Sequence, residues 1–380
     1  MNMLEYMMGF NDEKSNLERG LEYLHKVNPL FKDYPLVKKY IEILMDLQKP
    51  HVEWSTPNNI IYEHQTLILR HFQSKKSGRT KRPRPVLILP PQAGHHSVLA
   101  DYSPAQSLVR VFQLYGYDVY VTEWMSATSE YKNLGMDDYI RLTDEAVDMI
   151  RERTGVYKIH IVGQCQGGWQ ASVYTSLFQD KIATLVSAAS PIDVKAAPSQ
   201  IIDNAQMPMP IFDLLVATGN GVMQGKYMLA GFKNMQPEEH YINKFSRLWK
   251  MVKANDEEGL KRFKRFENWY EYTQNLPGRF YLDAIRNIFK ANNFTKPGSF
   301  KLNGRAVDFR NITCPVILMA GKKDHITPPP QQFAMKNLVG TPAQDVIEIL
   351  TDGGHIGTLM GTESLREDWT KVNEVLKLAI

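Results

Sequence analysis

The chain has 380 residues, 43% hydrophobic and 23% charged, a balance that excludes an unstructured polymer and leaves room for a large core. Its formal net charge is +4, from 45 basic against 41 acidic side chains. The basic residues are spread along the chain rather than clustered with aromatics, so nucleic acid is not an expected partner. Two cysteines, Cys165 and Cys314, exclude a disulfide framework and leave no metal-ligand spacing, so neither a metal nor a cofactor is expected.

The opening residues, Met1-Asn2-Met3-Leu4-Glu5-Tyr6, lack a basic stretch leading into a sustained apolar one, and no run approaches transmembrane length. With few cysteines as well, a cytoplasmic location is the expectation. Residues 1–50 carry helical spacing: Leu17, Leu21 and Leu24, then Leu36, Val37, Tyr40, Ile43, Leu44 and Leu47 after Pro35. They read as N-terminal helices whose apolar faces serve packing or contact with another copy. Strands are predicted at 59–62 and 65–72, followed by a basic run, Lys75-Lys76-Ser77-Gly78-Arg79-Thr80-Lys81-Arg82, read as a solvated loop tip.

Pro85-Val86-Leu87-Ile88-Leu89-Pro90 is continuous and apolar, as a buried parallel strand should be, and it leads into Pro91-Gln92-Ala93-Gly94-His95-His96. His95 and His96 either orient a substrate or cap this loop. A helix at 104–115, a strand at 118–124 and a long amphipathic helix at 135–153 follow.

The next strand runs into Gly163-Gln164-Cys165-Gln166-Gly167-Gly168, with a helical stretch from Trp169 to Phe178 behind it. A nucleophile on a sharp strand-to-helix turn needs small neighbours, because its own backbone is strained and the flanking chain passes close by. The helix N-terminus beneath it favours a thiolate and, later, an oxyanion. A structural cysteine in a glycine-rich turn is the competing reading of this stretch taken alone.

A strand at 182–188 ends in Ser190-Pro191-Ile192-Asp193. The strand–helix alternation then stops. Residues 198–297 are rich in methionine (Met207, Met209, Met223, Met228, Met235) and aromatics (Phe263, Phe266, Trp269, Tyr270, Tyr272), and are read as a helical cap. The alternation resumes at 314–321, followed by Asp324; a strand at 345–350 leads into Asp352-Gly353-Gly354-His355, and a helix at 363–377 closes the chain. The expected domains are N-terminal helices at 1–50, a core of 51–197 with 298–380, and a cap at 198–297.

Cys165, Asp324 and His355 occur in the order nucleophile, acid, base, each after a predicted strand. This is the order of the α/β-hydrolase fold, a mostly parallel doubly wound sheet. His355 would take the thiol proton and Asp324 would hold the imidazole; Asp352 is a rival acid, read as a turn former. The backbone N–H of Gln166 and one from the Gln92–Ala93 loop are the expected oxyanion donors. Trp169 joins His95 and His96 as an expected substrate-binding residue.

The motifs resemble the polyhydroxyalkanoate synthases and intracellular polyhydroxyalkanoate depolymerases. The synthase G-x-C-x-G-G box is matched at 163–168, the G-x-x-D-H-I acid motif at 321–326 and the G-H-I base motif at 354–356. The thiol depolymerases are similar over 45–375, including Gly94-His95-His96, Val119-Tyr120-Val121-Thr122-Glu123-Trp124, Asp137-Asp138-Tyr139-Ile140, Pro191-Ile192-Asp193, Gly231-Phe232 to His240 and Arg279-Phe280-Tyr281-Leu282. The double glycine departs from the depolymerase box, and the N-terminal region is shorter than in the large single-subunit synthases. The resemblance implies a thiol hydrolase of 3-hydroxyalkanoate esters acting through a Cys165 acyl-enzyme, or alternatively a synthase polymerising 3-hydroxyacyl-CoA. The implied partners are a 3-hydroxyalkanoate polymer or oligomer, an acyl-CoA thioester as substrate, a granule surface and a second copy in a homodimer.

Overall fold

The apolar runs pair into one eight-stranded sheet. The computed structural model describes residues 34–47, 50–74, 76 and 83–378. The sheet strands are β1 (Asn59–His64), β2 (Leu67–Phe72), β3 (Val86–Leu89), β4 (Val119–Trp124), β5 (Ile159–Gln164), β6 (Ile182–Ala188), β7 (Val316–Gly321) and β8 (Val346–Thr351). Their spatial order is β1-β2-β4-β3-β5-β6-β7-β8. β2 runs antiparallel to β1 and to β4, and every other pairing is parallel. β3, β4, β5 and β7 are buried along their whole length, and β3 and β7 accordingly read as unbroken apolar runs rather than alternating ones.

From β3 the chain steps to one side for β4 and then returns past β3 for β5. That reversal opens a crevice at the carboxyl ends of β3 and β5, where open α/β sheets hold their ligands. The helix between β4 and β5, Met136–Thr154, carries Asp137 and Asp138 in its first turn and Arg151 and Arg153 in its last, matching the helix dipole. It stops at Gly155, whose φ of 69° is open to glycine without penalty. The helix expected at 104–115 begins only at Leu108. Ser107 caps it, and 101–103 pairs with 106–107 in a short hairpin turning at Pro104.

Two compact units divide the chain. One contains residues 53–230 and 273–380, with the sheet and its main hydrophobic core. The other joins residues 1–52 to 231–272. Its described core is Ile43, Leu248, Val252 and Leu260, with Leu36, Tyr40, Leu44 and Leu47 packed against it. The division therefore runs through the 198–297 insertion expected from sequence and brings its middle together with the N-terminal helix Tyr34–Asp46. Leu17, Leu21, Leu24 and all of the basic run at 75–82 except Lys76 lie outside the described residues. No helix among the described residues is long and apolar enough to cross a membrane.

Candidate active site

Cys165 sits between β5 and the helix Gln166–Leu177, half-buried, with φ 53° and ψ −117°. A non-glycine residue in this region is strained and persists only when its surroundings hold it there. The glycines around it are required by close approach. A Cβ on Gly163 would lie 2.2 Å from the Gly167 carbonyl oxygen, and one on Gly167 would lie 1.9 Å from the Leu89 carbonyl oxygen. Backbone meets backbone at both points, so neither contact can relax by a side-chain rotation. The second contact also sets the elbow against the end of β3, where the 90–96 loop begins.

His355 and Asp324 meet as the order of motifs predicts. The imidazole Nδ1 lies 2.7 Å from Asp324 Oδ2, with both residues buried. The other carboxylate oxygen accepts from the backbone N–H groups of Ile326 (2.9 Å) and Thr327 (2.8 Å), which fixes the acid's orientation. With Nδ1 committed to Asp324, Nε2 is the nitrogen left for the Cys165 side chain, which is also hydrogen-bonded to the ring. Burial pushes the imidazole toward neutrality. The neighbouring Asp324 and Cys165 charges and their hydrogen bonds outweigh that and raise its pKa well above the ordinary histidine value. The arrangement can therefore hold a proton on His355 beside the sulfur.

His355 is not in a loop. It is the first residue of a short helix, His355–Met360, entered through Gly354. The carbonyls at the end of so short a helix have no partners within it. Here they are satisfied from outside: Thr358 O accepts from Trp369 Nε1 and Ser364 Oγ at 3.0 Å each, Leu359 O from Gln164 Nε2 at 3.0 Å, and Met360 O from Gln106 Nε2 at 3.1 Å. Gln164 directly precedes Cys165, so one side chain ties the His355 helix to the strand that carries Cys165. Sequence reasoning missed this link, although Gln164 lies inside the box. The rival acid, Asp352, is exposed and paired with Lys322 at 2.5 Å, away from His355.

The remaining site residues divide. Gln166 opens the helix after Cys165, where N–H groups lack partners in the helix itself, and its side chain is buried. Gln92 and Ala93 stand in the loop after β3. Gly94, at φ 83°, closes a tight turn there with its N–H 2.6 Å from Gln92 O. Gln92 is buried and donates from Nε2 to Met125 O at 3.3 Å. The backbone of His95 bridges Thr273, and the Gln274 N–H donates to Gly94 O at 3.0 Å, so this loop is stitched to the 273–277 segment.

Two of the expected substrate-binding residues belong to the scaffold instead. His96 accepts from the Val98 N–H at Nδ1 (3.0 Å) and faces Glu123 Oε1 from Nε2 at 2.9 Å, leaving no ring nitrogen for a ligand. Burial pushes the Glu123 carboxyl upward, but the bonds from His96 and Arg70 prevail and hold it below its usual range. Trp169 is 3% exposed, with its ring among Phe280 and Phe294 at 5.9 and 6.0 Å, in the core. Among the described residues, no group of three or more His, Cys, Asp or Glu is placed to hold a metal ion.

The chain is 28% identical over 322 residues to a poly(3-hydroxyalkanoate) polymerase subunit PhaC of Haloferax mediterranei, covering 84% of this chain and 63% of that protein. It is 29% identical over 317 residues to the PhaC polymerase subunit of Allochromatium vinosum, covering 82% of this chain and 86% of that protein. The structure of a monoacylglycerol lipase from Paleococcus ferrophilus aligns with 81% of this chain and 99% of its own, with a TM-score of 0.50 at 16% identity, which shows the α/β-hydrolase fold alone. A family model described as a protein of unknown function (DUF3141) matches residues 18–352, and the chain belongs to that family.

Proposed function

We propose that this chain is an acyltransferase that polymerises 3-hydroxyacyl units from their CoA thioesters through an acyl-enzyme on Cys165. The observation that carries the reading is the strained Cys165 set beside a His355 whose other nitrogen is held by buried Asp324. The polymerase relatives, similar over most of the chain, favour polymer synthesis over the hydrolysis that the longer run of depolymerase motifs suggests.

In this mechanism His355 Nε2 takes the proton of the Cys165 thiol as the sulfur attacks the thioester carbonyl. The Gln166 N–H and an N–H of the Gln92–Ala93 loop receive the developing oxyanion. Collapse breaks the bond to the CoA sulfur, which leaves with the proton from His355, and the acyl group remains on Cys165 as a thioester. The 3-hydroxyl of an acceptor chain then loses its proton to His355 and attacks that carbonyl. An ester bond forms, and the thiolate recovers the proton. Water in place of the hydroxyl would give the hydrolase reading with the same residues.

The acyl-enzyme is the direct test. Protein mixed with 3-hydroxybutyryl-CoA and quenched in acid should carry a 3-hydroxybutyryl group on the peptide containing Cys165, and Cys165→Ala protein should carry none. Acylation at another residue, or turnover retained by Cys165→Ala, contradicts the assignment.

A further inference from the structure

We propose that Ser190 is a positioning residue that holds Cys165 in its strained conformation. This rests on the reading of Cys165 as the nucleophile and adds a residue that the motifs do not contain. Both backbone groups of Cys165 are tied to the turn that ends β6. Its N–H donates to Ala188 O at 2.7 Å, and its carbonyl accepts from Ser190 Oγ at 2.8 Å. The Gly168 N–H reaches the same carbonyl at 2.9 Å, but that bond lies within the helix's own first turn. The Ser190 hydroxyl is the side-chain contact that fixes the peptide from outside.

The turn that supplies the hydroxyl is itself held on every side. Ala189 has φ 52°, a left-handed conformation unfavourable for alanine, and its N–H donates to Met319 O of β7 at 2.8 Å. The Ser190 N–H donates to Gln332 Oε1 at 2.6 Å, which makes the other end of that amide the donor. The three side chains form one buried cluster: Gln332 Nε2 donates to Ser187 Oγ (3.3 Å), Ser187 Oγ has Gln332 Oε1 (3.3 Å) and Ser190 Oγ (3.2 Å) as acceptors, and Ser190 Oγ donates to Cys165 O (2.8 Å). Ser187, Ser190 and Gln332 are all 0% exposed. At this burial the hydroxyls and the amide depend on one another for partners, which holds the Ser190 hydroxyl in place.

This also explains the last glycine of the box, Gly168. A Cβ on Gly168 would lie 1.8 Å from Ser190 Oγ and 3.0 Å from Ser190 Cβ. Gly168 is the hole that the hydroxyl occupies, so the double glycine and Ser190 form one device. In this structure the double glycine follows from how the nucleophile is held, and it does not by itself select polymerisation or hydrolysis.

The test reads the thiol directly. Full-length protein is alkylated with iodoacetamide across a pH series, and modification of Cys165 is followed by mass spectrometry. Two variants are compared with wild type, with thermal melts run alongside: Ser190→Ala, and Gly168→Ala combined with Ser190→Ala, which refills the vacated space without restoring the hydroxyl. Both should alkylate about tenfold more slowly at neutral pH, with the profile moved about one unit upward, as the sulfur drifts from His355. A purely structural role would lower the melting temperature and leave the profile unchanged. Wild-type rates and profiles in either folded variant overturn the inference; should Ser190→Ala not fold, the double variant decides. Wild-type protein whose Cys165 reacts no faster than an ordinary thiol overturns the nucleophile reading, and this inference with it.

Discussion

At the scale of single residues, the two aspartates near His355 separate by environment. Asp324 is buried against the imidazole, and Asp352 stands in solvent beside Lys322. Asp324→Asn keeps an oxygen for the Ile326 and Thr327 N–H groups but presents an amide to His355 Nδ1. The acylation rate should fall about 10³-fold, while Asp352→Asn stays within about twofold of wild type. Stopped-flow release of CoA measures both, and equal losses would contradict the assignment. The stability effect has a defined sign. His355 has a raised folded-state pKa, so its contribution is fully present below the unfolded value of about 6.5 and is lost as pH rises through the folded value. Asp324→Asn should therefore destabilise most below about pH 6.5, with the difference from wild type shrinking in alkali. A difference that grows with pH would contradict it. The proposed triad was legible in the sequence because its motifs and their order are local. Gln164, Ser190 and Gln332 were not, because a serine or glutamine at a strand or helix end carries no pattern until the fold brings its partner to it.

At the scale of elements, the sheet was legible because buried parallel strands are short unbroken apolar runs. The helix that begins at His355 was not. Six residues after two glycines look like a loop, and this helix is held by side chains from other parts of the chain. Trp369 is one of these anchors. It is fully buried, its N–H satisfies Thr358 O, and its ring meets Phe112 edge-on at 6.3 Å. Trp369→Ala should cost about 4 kcal/mol in chemical denaturation and loosen His355 as well, lowering activity in protein that is still folded. Full activity in a destabilised variant would show that the anchor serves stability only.

At the scale of the molecule, composition and alternation lead to the α/β class, and the chain order of the triad leads to its hydrolase-like arrangement. The two-unit division was not legible, because it joins the helix at 34–46 to residues 231–272 through contacts some two hundred residues apart. Choice of acceptor is likewise a property of the whole site, since the same cysteine, histidine and aspartate serve an alcohol or water. The most direct measurement therefore gives the purified protein 3-hydroxybutyryl-CoA and amorphous polyhydroxybutyrate in parallel, and follows CoA thiol, free 3-hydroxybutyrate and polymer mass. Polymerisation through Cys165 predicts CoA release with growth of polymer mass, both lost in Cys165→Ala. Free acid released from the polymer, with no CoA-dependent growth, would contradict it and make the enzyme a depolymerase.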